Sequence, residues 1–161
     1  MSAHHHVPVR AVLQRALDGQ VHVAGERVGG FTGLGLVVLL GITHTDSSAI
    51  ARRLARRIWT LRIFEPADPS AQDGPREVSA ADLRAPLLVI SQFTLYAQTS
   101  KGRRPTWDLA VPGHIAEPLV DCVVDDLRSL GAEVSTGVFG ATMAVSLVNV
   151  GPMTILLDVD D

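Results

Sequence analysis

The chain has one cysteine, one lysine and one asparagine in 161 residues, and only 4% of it is aromatic. A lone thiol, Cys122, cannot form an internal disulfide. It falls at an apolar position of a predicted helix and reads as core packing. Long apolar runs are missing too. The longest, around Leu34 to Ile42, is broken by glycine and stops far short of the roughly 20 residues needed to cross a bilayer. Met1–His6 has neither the charged start nor the apolar stretch of a signal peptide, so the expectation is a cytoplasmic protein. Excess positive charge is absent as well: the net charge is −3 and the sequence pI about 6.0. That excludes coating of a nucleic acid through bulk potential, and DNA is not an expected partner. Any RNA contact has to be local.

What is present is apolar material: 47% hydrophobic residues against 19% charged, enough to bury a core and too much for intrinsic disorder. No Pro/Gly/Ser-rich linker divides the chain, so residues 9–161 are expected to form one domain behind a tail or tag remnant at residues 1–8. His4–His6 lie in that tail with no partner at ligand spacing; neither a metal nor a cofactor is expected.

Val9–Leu17 reads as a strand, with Asp18-Gly19 as a hairpin signal before a second strand at Gln20–Ala24. Gly25-Glu26 offers another tight turn, and Glu26–Phe31 returns as a strand. Leu36–Ile42 is apolar on both faces and must lie in the middle of a sheet; the glycines before it do not meet the GxGxxG spacing, and a strand follows them rather than a helix. Asp46, Ser47 and Ser48 are competent caps for a helix bearing Ile50, Leu54, Ile58 and Leu61 on one face and Arg52, Arg53, Arg56 and Arg57 on the other. After a strand near Leu61–Phe64, residues 65–86 read as loop. Leu87–Ser91 is a second continuous apolar strand ending in the polar residues Gln92, Thr94 and Tyr96. A second helix is expected over Gly113–Leu130, with Ile115, Leu119, Cys122, Val123, Leu127 and Leu130 inward and Gly131 as its stop. Three strands, near Glu133–Val138, Met143–Val150 and Thr154–Val159, end the chain. Hairpins and two helices without regular alternation predict an α+β fold, a curved mixed or antiparallel, barrel-like sheet flanked by two main helices.

Ser91, Thr94 and Thr154 are hydroxyls, but a weak nucleophile needs an adjacent base with a third group to orient it. No Ser-His-Asp order is visible, the G-x-S-x-G elbow is absent, and His22, His44 and His114 sit beside turn or helix-start signals. A small-molecule esterase using Thr94 or Ser91 covalently and a noncatalytic RNA- or ligand-binding protein therefore stand as alternatives.

Two stretches carry a resemblance: Ser91-Gln92-Phe93-Thr94-Leu95-Tyr96-Ala97 and Asn149-Val150-Gly151-Pro152-Met153-Thr154. With Leu13-Gln14-Arg15, Gly102-Arg103-Arg104-Pro105, and Gly137-Val138-Phe139-Gly140-Ala141 plus Met143, the chain resembles the D-aminoacyl-tRNA deacylases over nearly its whole length. Met153 stands where that family often has valine, and Val150 where it often has an acid. The resemblance implies that fold, and an enzyme that hydrolyses the ester of D-aminoacyl-tRNA and of glycine mischarged on tRNA. It implies a homodimer in which a cis Gly151-Pro152 bond reaches into the partner's site. Ser91, Gln92, Phe93 and Thr94 would form the catalytic wall, with Thr94 a positioning residue. Asn149, Met153 and Thr154 would flank the dipeptide, and Arg15 would brace it; a salt-bridged strand arginine is the alternative for Arg15. Phe139, Gly140, Ala141 and Met143 would line the adenosine end, and Lys101, Arg103 and Arg104 would meet acceptor-stem phosphates. An aminoacyl ester is activated by its own α-ammonium, and the ribose 2′-hydroxyl can position or deprotonate water. The protein then has only to orient, stabilise the oxyanion and reject the wrong chirality. Glycine admits close backbone approach and proline supplies no N–H, so a wall of main chain beside Cα would admit hydrogen but no side chain.

Overall fold

The computed structural model describes residues 8–160; the tail motif His4–His6 lies outside them. The centre of the molecule is β1 (Val9–Val23), which pairs along one edge with β8 (Ala144–Val159) and along the other with β2 (Glu26–Gly30) and β3 (Leu34–Gly41). β6 (Leu87–Ser91) joins β3 in parallel, and β7 (Val134–Thr136) joins β6 in parallel. The sheet is therefore mixed. It curls until β7 meets β2 at the far end, where Ser135 Oγ donates to Gly30 O at 2.9 Å, leaving a nearly closed barrel. Ala16, Val21, Phe31, Val37, Leu88 and Ile90 fill its interior. The doubly apolar strands β3 and β6 lie side by side in its middle, as continuous hydrophobic runs require.

The second core layer lies between the sheet and two helices. α1 (Ser48–Thr60) starts at Ser47, whose side chain accepts from Ile50 N, and buries Ile50, Leu54 and Ile58 on its apolar face. Its arginines face outward; Arg52 stands 3.8 Å from Asp126, and Arg53 donates to Asp160 O. α3 (Gly113–Ser129) buries Val120, Val123, Val124 and Leu127. Ile115 and Leu130, expected inward, are exposed: the first lies in the opening turn and the second just past the end, beyond the reach of the sheet. Cys122 is half-buried against the core, and burial pushes its thiol pKa up.

Four other expectations are corrected. Asp18-Gly19 is not a hairpin. β1 runs through it, because two residues there face the single residue Leu147 of β8, between the pairs Leu17↔Val148 and Gln20↔Ser146. The result is a bulge with Asp18 at φ 53°, its carboxylate accepting from Gly33 N at 2.7 Å. The real hairpin turn is one residue earlier than expected, at Ala24-Gly25, both with positive φ as a primed two-residue turn requires. The two last strands are one, since β8 continues through Gly151-Pro152. A proline is tolerated there because β8 is an edge strand and its missing N–H breaks no ladder. The stretch 65–86 is not all loop: β4 (Arg62–Phe64) pairs with β5 (Val78–Ser79), and a short helix α2 (Ala80–Leu83) follows, closed by a capping box between Ser79 and Asp82. No helix among the described residues is long and apolar enough to cross a membrane.

Closure rests on one tight approach. A Cβ on Gly29 of β2 would lie 2.3 Å from the carbonyl oxygen of Thr136 in β7, a backbone atom with nowhere to go. Gly29→Ala is expected to cost about 1–3 kcal/mol as an overpacking change and to lower Tm by several degrees. Thermal unfolding followed by circular dichroism checks this, and an unchanged Tm would contradict the closure.

Candidate active site

Where β6 ends, the chain turns sharply. Gln92 N donates to Leu40 O at 2.7 Å, ending the parallel ladder, and Phe93–Tyr96 forms one 3-10 turn. Tyr96 anchors this turn beneath the sheet: its hydroxyl lies 2.8 Å from Pro8 O and 3.3 Å from Gly41 O, and burial pushes its pKa up. Although the sequence groups Tyr96 with Gln92 and Thr94, it faces the core. Gln92 Nε2 donates to Thr94 Oγ1. Among the described residues, no imidazole or carboxylate is hydrogen-bonded to the hydroxyl of Ser91 or Thr94.

Ser91, Gln92 and Phe93 form one wall of a cavity of about 400 Å³, and Phe139, Gly140, Ala141 and Met143 form another. These two segments, nearly fifty positions apart, are thus brought together. The turn that carries the second is set by Gly140 at φ 76° and by Ala141 N donating to Val138 O at 3.2 Å. The floor is aliphatic: Leu40, Ile42, Val111, Ala116 and Val120. Sequence reasoning missed the floor, because each of these residues sits in an ordinary core pattern and carries no separate signal. Thr94 lies outside the lining, one position beyond the wall. Among the described residues no cluster of three or more His, Cys, Asp or Glu is placed to hold a metal.

The second motif lies elsewhere on the surface. Asn149 of β8 pairs with Ala16 and Thr154 with Gln14, so residues 150–153 arch over the single residue Arg15. In the arch the Gly151–Pro152 bond is cis and Gly151 has φ 123°. Both residues are exposed, and neither lines the chain's own cavity. Asn149 Nδ2 reaches across the arch to Thr154 Oγ1 at 3.4 Å, while Met153 turns inward onto the core.

Arg15, 9% exposed, lies under the arch. Its Nε donates to Val150 O at 3.0 Å and its Nη1 to Ile63 O at 2.9 Å. It is not a salt-bridged strand arginine: both acceptors are main-chain carbonyls. A Cβ on Gly151 would stand 2.3 Å from Arg15 Nη2, so guanidinium and glycine fit each other closely. Lys101, Arg103 and Arg104 are exposed on a loop closed by paired main-chain bonds between Gln98 and Thr106; they stand outside the cavity.

The Arg15 fork has a direct test. Lysine keeps the charge but cannot serve two carbonyls in fixed directions, so Arg15→Lys is expected to leave one buried acceptor unpaired, at about 1–3 kcal/mol. The readout is a fall in Tm together with faster amide exchange at residues 149–154; unchanged exchange would contradict the bracing.

The profile of the D-Tyr-tRNA(Tyr) deacylase family matches residues 12–158. A D-aminoacyl-tRNA deacylase of Cutibacterium acnes is 56% identical, with 95% of this chain and 99% of the relative covered, and one of Thermobifida fusca is 55% identical, with 94% and 100% covered. Among solved structures, a protein titled c-Myc DNA Unwinding Element Binding Protein superposes with a TM-score of 0.83 at 34% identity, covering 92% of this chain and 97% of that one. A probable eukaryotic D-amino acid tRNA deacylase superposes at 0.78 with 17% identity, covering 93% and 98%, a likeness of fold. The chain belongs to the D-Tyr-tRNA(Tyr) deacylase family of hydrolases.

Proposed function

We propose that the protein hydrolyses the ester linking a D-amino acid to tRNA, in the cytoplasm where charged tRNA is found, and that it also accepts glycine mischarged on tRNA. The observation that carries the reading is the cavity itself, in which the Ser91–Phe93 corner and the Phe139–Met143 segment face each other across a space sized for a nucleoside. The terminal adenosine enters between them, over the aliphatic floor. The first N–H groups of the 3-10 turn, on Phe93 and Thr94, have no partner within that turn, as at the start of any helical segment. They are the donors we assign to the developing oxyanion. Thr94, tied to Gln92, positions water or the ester, and the ribose 2′-hydroxyl takes the place of a side-chain base.

Chirality is selected by Gly151-Pro152 of a second copy. Two observations support this. The dipeptide projects from the molecule instead of lining its own cavity, while Arg15 holds its backbone from below. The outward face of β8 carries Val148, 59% exposed, and Leu156, 71% exposed, on an edge strand with no neighbour on its free side among the described residues. Such an edge is suited to association, and a homodimer covers it. Main-chain carbonyls then meet the α-ammonium, and the bulk of the turn leaves room on one side of Cα for hydrogen alone. Lys101, Arg103 and Arg104 meet phosphates, which reconciles local RNA binding with a net acidic chain.

Purified protein is expected to release tyrosine from D-tyrosyl-tRNA while leaving L-tyrosyl-tRNA intact; hydrolysis of neither would refute the reading. Thr94→Ala is expected to keep kcat within roughly tenfold. A positioning hydroxyl contributes modestly, whereas removing a true nucleophile abolishes nearly all turnover, and that result would favour the covalent esterase. Leu156→Arg, which puts a charge on the outward face of β8, is expected to shift the protein from dimer to monomer in sedimentation and to lose D-specific activity with it.

A further inference from the structure

Beside the mouth of the cavity stand two exposed aromatic rings. Phe93 is 56% exposed and Trp107 is 40% exposed; their centroids are 5.4 Å apart with the planes at 73°, an edge-to-face pair. Water-facing aromatics of this size are unusual in a chain with so few aromatic residues, and neither ring is needed to fill the core. Phe93 also lines the cavity, so the pair begins where the nucleoside site ends.

The pair is held in place. The segment bearing Trp107 is fastened to the end of β3: Thr43 Oγ1 donates to Leu109 O at 2.6 Å, His44 Nε2 lies 2.9 Å from Asp108 O, and Val111 N donates to Ile42 O at 3.3 Å. Ala110 N closes the turn onto Trp107 O at 3.0 Å. On its other side, Thr106 is paired with Gln98, and the loop between them presents Lys101, Arg103 and Arg104 to solvent. Apolar rings on a rigid support, flanked by three cations, match a single strand of nucleic acid, whose bases stack and whose phosphates are anionic.

We propose that Phe93 and Trp107 form a stacking platform for the unpaired nucleotides immediately 5′ of the terminal adenosine, with Lys101, Arg103 and Arg104 along their phosphates. The inference rests on the tRNA reading above and extends it to a subsite outside the cavity. Stacking reads a π-face, so the platform is indifferent to which base precedes the adenosine. It grips the single-stranded end of any tRNA and sets the depth to which the adenosine enters.

Two measurements test it. In the first, kcat/KM is compared on D-tyrosyl-tRNA and on the minimal substrate D-tyrosyl-adenosine. Trp107→Ala is expected to lower the ratio of the two by about tenfold, the size of one base stack, and Trp107→Phe is expected to restore most of it. An unchanged ratio overturns the proposal, and so does a loss shared equally by both substrates. If the wild-type protein cleaves neither substrate, the deacylase reading has failed; cleavage of both with an unchanged ratio removes the platform alone. In the second, the tryptophan emission of the wild type minus that of Trp107→Phe isolates Trp107 from the buried Trp59. The trinucleotide CCA is expected to quench it and adenosine alone to leave it unchanged. Quenching by adenosine alone would put Trp107 in the nucleoside site. A lower mass in sedimentation for Trp107→Ala would make the rings a contact between copies. Either outcome overturns the proposal.

Discussion

Everything in this molecule is hung from one strand. β1 hydrogen-bonds to β8 on one edge and to β3 and β2 on the other, so the dipeptide-bearing strand is registered directly against its fifteen residues, and the Ser91 corner is registered through β3, on which β6 pairs. Where β1 is regular, the ladder is regular. Where β8 departs from it, opposite Arg15, four residues arch outward and carry the stiff dipeptide with them. The arch is possible because a guanidinium can serve two carbonyls at once. A buried cation without a carboxylate partner is costly, and its fork of charge-assisted hydrogen bonds offsets part of that cost.

The elements with a strong period were legible. Ile50, Leu54 and Ile58 announce α1, and the doubly apolar runs at β3 and β6 announce strands buried on both faces. What was not legible was decided by partners distant in sequence. Asp18-Gly19 has the chemistry of a hairpin turn, and nothing local says that β8 will accept it as a bulge. Gly151-Pro152 has the chemistry of a chain break, and only the free edge of β8 lets the strand run through it. The capping box at Ser79 and Asp82 was present in the letters, but a helix of one turn has no period to display. In the site, the polar corner and the glycine-containing turn stood out, whereas the aliphatic floor was indistinguishable from core. Trp107 carried a signal that was not used, a tryptophan three residues after Arg104 of the basic block.

The two motif-bearing regions follow different physical rules. The cavity is a concave apolar space with a few polar groups at one corner, and the residues that line it come from one chain. The dipeptide is convex, exposed and rigid, and it has no cavity of its own. In the homodimer proposed above, the free edge of β8 brings this convex surface to the concave cavity of the second copy.

Because Arg15 recognises the carbonyls of Val150 and Ile63 and not their side chains, the brace is blind to the amino-acid alphabet at both positions. Substitution at either position leaves the accepting carbonyls in place. What selection has to guard is the guanidinium and the path of the main chain it grips, so immutability should concentrate at Arg15 and Gly151 while their immediate neighbours wander.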